Sequence, residues 1–340
     1  MNSRVLVRLF IMIHLKKPIR WSTNLFNLLL QARANQMSEM KNQSIQPKSS
    51  AFSQKINVGD IDLFIKVHGS NLENRVDPEQ ATLIFNHGGP GMDHTMHEAY
   101  WCQFAKAGIQ VILPDLRGTG QSEYGDKEKW TLKQWGQDVH SLKEMLGIKT
   151  LFVGGMSAGG YVSYSYAAQY PNEAAGIIIC NAEPYNSLAR ILEGYRRNVA
   201  KAGGDVEAAV EGARQMFTNA TAESVSHYFK YCIPYAGFPN PPKEHAEKCI
   251  QNPEMSNWFY SKEFFGFNFL PELPKIQCPV LILASDGSPV HPVEASREAA
   301  EAIKPELLHY HEFLDTGCEL YSFHPEAVYK IAVDFIHQYS

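Results

Sequence analysis

Gly155, Met156, Ser157, Ala158 and Gly159 spell G-x-S-x-G between an apolar run at residues 151–153 and a helical stretch. A serine hydroxyl is a weak nucleophile until a sharp strand-to-helix turn lifts it clear of the fold. That turn needs small neighbours so that helix and strand can approach. The spacing therefore predicts Ser157 as a nucleophile. A second cluster, His87-Gly88-Gly89-Pro90-Gly91, follows the apolar run at 81–85. So dense a set of glycines lets backbone N–H groups face a developing oxyanion, and Gly89 and Ala158 are the expected donors. Asp115 to Ser122 (DLRGTGQS) follows the next run and reads as structural loop chemistry.

To hold a serine on such a turn the chain needs a parallel sheet covered by helices, an α/β fold. From Lys55 onward, short β-branched runs alternate with helical patterns as that architecture requires. Residues 56–58 and 61–67 flank Gly59-Asp60 and predict a hairpin; further strands are expected at 81–85, 110–113, 150–153, 176–180, 279–283 and 307–314. Most are continuous apolar runs, the pattern of strands buried on both faces. Thr131 and Gln134 predict a capping box ahead of a stripe of Leu132, Trp135, Val139, Leu142 and Leu146. Another helix opens at Pro325 and closes the fold. From 184 to 270 the strand rhythm gives way to helical segments at 187–201, 221–231 and 243–250. The expected organisation is a core of residues 51–183 and 271–340, a helical cap at 184–270, and a basic extension at 1–50. Aromatic residues crowd positions 258–269, where they either line a pocket or pack the cap onto the core.

HGGPG at 87–91, DLRGTGQS at 115–122 and GMSAGG at 155–160, with an inserted helical cap, resemble the proline iminopeptidase group of α/β-hydrolases over residues 52–340. The resemblance implies a doubly wound, mostly parallel sheet and serine acyl transfer on small amides, N-terminal prolyl peptides or esters. It also implies cap acids that hold a substrate amine, for which Glu254 and Glu263 are the candidates. Two positions depart from the family. Its acid closes a pattern of the form P-x-L-x-L-x-G-x-x-D-x-x-x-P; Pro279 to Pro292 fits in register and places Ser288 at the acid position. Its histidine follows a glycine shortly before Pro-Glu, where this chain has Gly317-Cys318.

A thiol with an ordinary pKa of about 8.5 is a poor substitute for imidazole as a proton shuttle. Losing the triad histidine can lower turnover on the order of a million-fold. Among possible replacements, Asp286 and Glu183 could orient a base, and His291, His309, His311 and His324 could serve as one; His324 stands nearest Cys318 along the chain among the histidines that follow it. Asp315 and Glu319 are expected to face solvent. Three readings stay open: a hydrolase with impaired triad chemistry or a rearranged relay, a non-catalytic small-ligand-binding or scaffold pseudohydrolase, and an enzyme using the oxyanion loop for a reaction that needs no triad.

Composition narrows the partners. The chain has 340 residues, 44% hydrophobic, 20% charged and 11% aromatic, with net charge −5, an ordinary globular balance. Residues 1–50 hold Arg4, Arg8, Lys16, Lys17, Arg20 and Arg33 among their bases and only Glu39 as an acid, so the body is more acidic than the whole and repels nucleic acid. The six cysteines contain no C-x-x-C pair, and neither H-E-x-x-H nor a dinucleotide fingerprint occurs, so no metal and no cofactor are expected. Residues 5–15 are too short and too interrupted by charge for a membrane span. A small-molecule or short-peptide ligand is the expected partner, with no stable membrane insertion; oligomeric state is left open. The leader reads first as a mitochondrial transit peptide, next as an upstream extension or cytosolic tail with Met37 or Met40 as the working start, and last as a secretory signal. Location is therefore expected to be mitochondrial or cytoplasmic rather than secreted.

Overall fold

Strands that must be buried on both faces need apolar side chains at every position. Five segments are buried at every residue and apolar except at their ends: β3 (Thr82–Asn86), β4 (Gln110–Pro114), β5 (Leu151–Met156), β6 (Gly176–Cys180) and β7 (Val280–Ser285), whose polar Thr82, Asn86, Gln110 and Ser285 lie at strand termini. The computed structural model describes residues 51–219, 221–237 and 248–340; the leader at 1–50 and most of the predicted helix at 243–250 lie outside the described residues. With β1 (Phe52–Asn57), β2 (Asp62–His68) and β8 (Leu308–Phe313), the strands form one eight-stranded sheet in the order β1-β2-β4-β3-β5-β6-β7-β8. The β1/β2 and β2/β4 pairs are antiparallel and the others parallel. Edge strand β1 alternates half-buried and exposed residues, as a strand with one wet face must.

The two faces of the sheet build separate apolar layers. Ile84 and Val153 face a cluster with Trp135, Tyr161 and Val162, whereas Leu83, Phe85 and Phe152 face Trp101, Phe104 and Phe335. Helices α2 (Leu132–Leu146) and α3 (Ala158–Gln169) cover the first face; α1 (Thr95–Trp101) and the closing α10 (Pro325–Gln338) cover the second. Helix α2 starts as predicted at its N-cap, with Thr131 Oγ1 accepting from Gln134 N at 3.1 Å, but the reciprocal half of the box is not formed. The Gln134 side chain instead donates forward to Asp138 Oδ1 at 2.9 Å. Asp138 is buried and paired with the buried Arg117, and its bond to the Gln134 amide draws that side chain away from the Thr131 N–H.

Arg117 also forks onto Asp60, which fastens the 115–122 loop to the β1/β2 turn. Between β6 and β7 the chain inserts α4 (Leu188–Ala202), α5 (Val206–Thr218), α6 (Ala222–Tyr231) and α7 (Pro253–Trp258), the last running into a single π-helical turn at Phe259–Glu263. Two further α-helices are α8 (Val293–Ala302) after β7 and α9 (Leu320–Phe323) just before α10. Among the described residues no helix is long and apolar enough to cross a membrane.

The aromatic end of the insertion packs mainly inward. Phe259 lies parallel to Tyr161 with centroids 6.5 Å apart, and Phe267 reaches the same ring at 4.8 Å. Trp258 and Tyr260, by contrast, line an open cleft of about 490 Å³ with Phe217 and the Lys127–Glu254 ion pair. Ser157 is not among the residues that line it.

Candidate active site

The C-terminal ends of β3, β5, β6, β7 and β8 meet along one edge of the sheet, and the sequence places its chemistry there. Ser157 links β5 to α3 with φ 54° and ψ −121°, a conformation strained for a residue with a side chain. Its N–H is shared between the carbonyls of Cys180 and Asn181, at 3.1 and 3.2 Å, so the turn is pinned to the end of β6. The glycines around it are sterically obligatory. A Cβ on Gly155 would lie 2.1 Å from Gly159 O, and one on Gly159 would lie 2.1 Å from Asn86 O. Ser157 is half-buried, and its hydroxyl makes no hydrogen bond among the described residues.

The 87–91 loop lies against this turn. A Cβ on Gly88 would sit 2.9 Å from Met156 O and 3.3 Å from Ser157 Cβ, and Gly89 takes φ 73°. Gly88 N–H donates to His97 Nε2 at 3.0 Å, and among the described residues no acceptor takes the Gly89 or Ala158 N–H. Burial pushes His97 down to about 3, so the ring stays neutral.

Beyond β7 and β8 the edge differs. Ser288 Oγ and Cys318 Sγ share a hydrogen bond of 2.9 Å, and both residues are 0% exposed. His291 N–H donates to Ser288 Oγ at 2.9 Å, which completes the local polar accounting. Burial pushes the Cys318 thiol up to about 12, the Ser288 bond opposing it only in part, so the thiol is neutral across the physiological range. Asn181, at the end of β6, ties this region together: its Nδ2 donates to Cys318 O at 2.6 Å and to Ser285 Oγ at 2.8 Å, while its Oδ1 accepts from Ser285 N at 2.8 Å.

The other sequence candidates separate. Glu183 and His291 are brought together: His291 Nδ1 lies 3.1 and 3.2 Å from the two Glu183 oxygens, and both side chains are 1% exposed. Tyr161 OH donates to Glu183 Oε2 at 3.1 Å, while His291 Nε2 is buried with no partner among the described residues. His324 instead bonds Thr316 Oγ1 at 2.7 Å and stacks on Phe313 at the start of α10. Asp286 accepts from Thr316 N at 3.4 Å and, among the described residues, makes no bond to a histidine. Glu254 is exposed and paired with Lys127, and Glu263 accepts the Leu132 N–H at 2.9 Å at the start of α2. His309 bonds Tyr339, and His311 is on the exposed part of β8. Asp315 is exposed as expected, but Glu319 is not: its carboxylate accepts from Tyr321 OH at 2.8 Å and Ser322 Oγ at 2.7 Å, and burial raises its pKa.

Among the described residues one set of potential metal ligands, Asp93, His94 and Asp115, has its ligand atoms within 4.8 Å of one another. Each carboxylate is already engaged: Asp93 accepts from Thr95 and Ile250 N–H, and Asp115 from His94 and Gln121. The cluster is therefore a set of protein–protein bonds tying the 93–95 segment to the 115–122 loop.

With this geometry in place, residues 81–325 match the α/β hydrolase fold family. The chain is an α/β hydrolase by family. It is 30% identical over 155 residues to a proline iminopeptidase of Thermoplasma volcanium, a match covering 42% of this chain and 52% of that relative, about half its length. To a bifunctional esterase/perhydrolase of Acinetobacter calcoaceticus it is 28% identical over 263 residues, covering 72% of this chain and 85% of the relative. The solved proline iminopeptidase of Mycobacterium smegmatis superposes with TM-score 0.67 at 21% identity, covering 85% of this chain and 98% of that one. The relatives and neighbours it resembles here are thus proline iminopeptidases and an esterase. Two features of its site have no short-range sequence signal: His97 beneath the glycine loop, and Asn181 bridging the strand ends.

Proposed function

We propose that this α/β hydrolase keeps the family's ligand site at Ser157 but has lost efficient hydrolysis through the usual acid and histidine positions. It then holds a small acyl compound or short peptide without rapid turnover. The observation that carries this reading is the buried Ser288–Cys318 hydrogen bond. A histidine accepts the serine proton and returns it to the leaving group, and a carboxylate stabilises the cation formed between those steps. A neutral hydroxyl bonded to a thiol near 12 can do neither at neutral pH. The remaining parts support binding: Ser157 on its turn, and two backbone N–H groups, of Gly89 and Ala158, free to meet a carbonyl or carboxylate oxygen.

The test is fluorophosphonate labelling together with hydrolysis of a prolyl fluorogenic amide and a short-chain ester. Wild type, Ser157→Ala and the paired Ser288→Asp/Cys318→His variant are compared. Slow or absent labelling of wild type, with Ser157-dependent turnover only in the paired variant, supports the proposal. Fast Ser157-dependent turnover by wild type overturns it.

A second reading has its own observation, the unpartnered Nε2 of His291 above the Glu183 contact. Ser157 Oγ and His291 Nε2 share no hydrogen bond in this structure, so this reading requires a rearrangement that brings them together; the Ser157 hydroxyl proton then passes to His291 Nε2 as Oγ bonds to the substrate carbonyl. Glu183 steadies the imidazolium, and the proton then leaves with the departing amine or alcohol before water clears the acyl group. Wild-type labelling abolished by His291→Ala favours this reading; labelling that survives His291→Ala removes it.

A further inference from the structure

Three hydrogen bonds join the glycine loop to the turn that carries Cys318. Gly88 N–H meets His97 Nε2 at 3.0 Å, His97 Nδ1 meets Tyr321 OH, and Tyr321 OH meets Glu319 Oε1 at 2.8 Å. The first bond sets the direction of the rest. An amide N–H can only donate, so Nε2 must be the bare ring nitrogen, and the neutral ring carries its hydrogen on Nδ1. Nδ1–H then donates to the Tyr321 oxygen, and Tyr321 donates to Glu319. His97 and Tyr321 are both buried, and the Tyr321 ring also packs edge-on against His97 with centroids 6.0 Å apart. The chain runs from the loop at the end of β3 to the residue immediately after Cys318.

We infer that His97 is a positioning residue: by taking the Gly88 N–H with a tautomer fixed through Tyr321 and Glu319, it leaves the Gly89 and Ala158 N–H groups as the pair facing a ligand oxygen. This rests on the reading of the loop as an oxygen-binding edge given under the proposed function. Without an acceptor at 97, the Gly88 N–H would be a buried donor seeking a partner, and the loop could turn it toward the ligand in place of Gly89. Gly88 leaves little room for other arrangements, since it abuts Met156 O and Ser157. A ring doubly protonated at low pH would point an N–H at an N–H and break the chain at its first link. His97 therefore has to remain neutral for the loop to hold, as its burial ensures.

The test compares wild type with His97→Gln, His97→Phe and Tyr321→Phe. A glutamine can accept from Gly88 with its carbonyl and donate to Tyr321 with its amide; phenylalanine can do neither. Nitrogen-15 spectra of wild type should show the His97 proton on Nδ1, and the Gly88 amide resonance should persist in His97→Gln and move in His97→Phe. Phenylboronic acid, which forms a tetrahedral anion on a serine, should bind His97→Gln about as well as wild type and His97→Phe roughly tenfold more weakly. Melting temperatures of the two variants serve as the control for folding. An unchanged Gly88 resonance in His97→Phe, or a hydrogen on His97 Nε2, overturns the inference, as does wild-type boronate affinity in a folded His97→Phe. Should boronate bind no form, including wild type, the oxygen-binding reading of the loop falls, and the Gly88 resonance alone then decides whether His97 holds it.

Discussion

The ends of β3 and β5 and the ends of β7 and β8 lie along one edge of the same sheet, yet they have fared differently. At the first pair a serine on a strained turn lies against a glycine loop, with the Gly89 and Ala158 N–H groups taken by no acceptor among the described residues. At the second the positions proposed for an acid and a base hold a neutral hydroxyl and thiol. Sterics explain the contrast. A side chain on Gly155 or Gly159 would place a Cβ 2.1 Å from backbone atoms of neighbouring segments, so those glycines are demanded by the fold itself. Ser288 and Cys318 are fully buried but satisfy each other, with the His291 N–H completing the set. Nothing in the packing calls for an acid or a histidine there. An intact nucleophile turn therefore attests to the fold, and only the relay positions speak to turnover.

The sharpest way to break this contrast is to restore the second edge. Ser288→Asp with Cys318→His should raise Ser157-dependent hydrolysis of a prolyl amide or short-chain ester on the order of a thousand-fold, because the rest of the site is already assembled. No gain in a variant that still folds would mean that the first edge has also lost its function. The converse experiment places one methyl group on the first edge. Gly159→Ala should destabilise the fold by ~3 kcal/mol or more in urea unfolding, since the offending neighbours at Asn86 and His87 are backbone. A variant as stable as wild type would show that the glycine is there for chemistry and not for packing.

These two experiments also separate what the sequence displays from what it conceals. The nucleophile turn, the glycine loop and the alternation of strands and helices are local patterns, and they appear at residues 155–159, 87–91 and 176–180 close to where the chain adopts them. The reading of 288 and 318 as the family's acid and histidine positions rests on the same kind of local pattern, the register of the flanking text. Contacts across long separations leave no such pattern. His97 meets Tyr321 across 224 residues, and nothing in the pattern of α1 distinguishes it from any histidine on a helix face. Glu183 and His291 are each visible as candidates, but their pairing over 108 residues depends on how β6 and β7 lie side by side. His324 is close to Cys318 in sequence, yet the start of α10 turns it to Thr316. The second half of the predicted capping box is not formed for a similar reason: the Gln134 amide turns its N–H to Asp138, which Arg117 holds from another part of the chain.

A smaller effect tests whether the two vacated positions changed together. Ser288→Asp alone would bury a carboxylate beside a thiol that stays neutral, and should cost about 3 kcal/mol of stability. Adding Cys318→His should recover a large part of that loss, with a coupling of about 2 kcal/mol in a double-mutant cycle. Additive effects would mean that the two positions no longer sense each other, against the hydrogen bond between them.

The last and smallest effect is read from pH. His97, on the retained edge, has its pKa lowered from an ordinary 6.5 to about 3 in the fold. Below about 6.5 the unfolded chain takes up a proton that the folded chain refuses, so this contribution to stability is complete above that pH. It is lost as pH falls toward 3, at about 1.4 kcal/mol per pH unit for one proton. Replacing His97 by Gln removes that proton and should flatten the fall between pH 7 and 4. The slope that remains includes His87, which is also buried with a lowered pKa. Cys318 titrates near 12, so Cys318→Ala should shift the stability curve without changing its slope over the same interval. Unfolding free energies in urea at several pH values distinguish the two variants. If the slopes of wild type and His97→Gln are parallel, His97 is not held neutral by burial; if Cys318→Ala changes the slope, the Ser288–Cys318 pair carries a charge after all, and the contrast between the two edges is smaller than their hydrogen bonds imply.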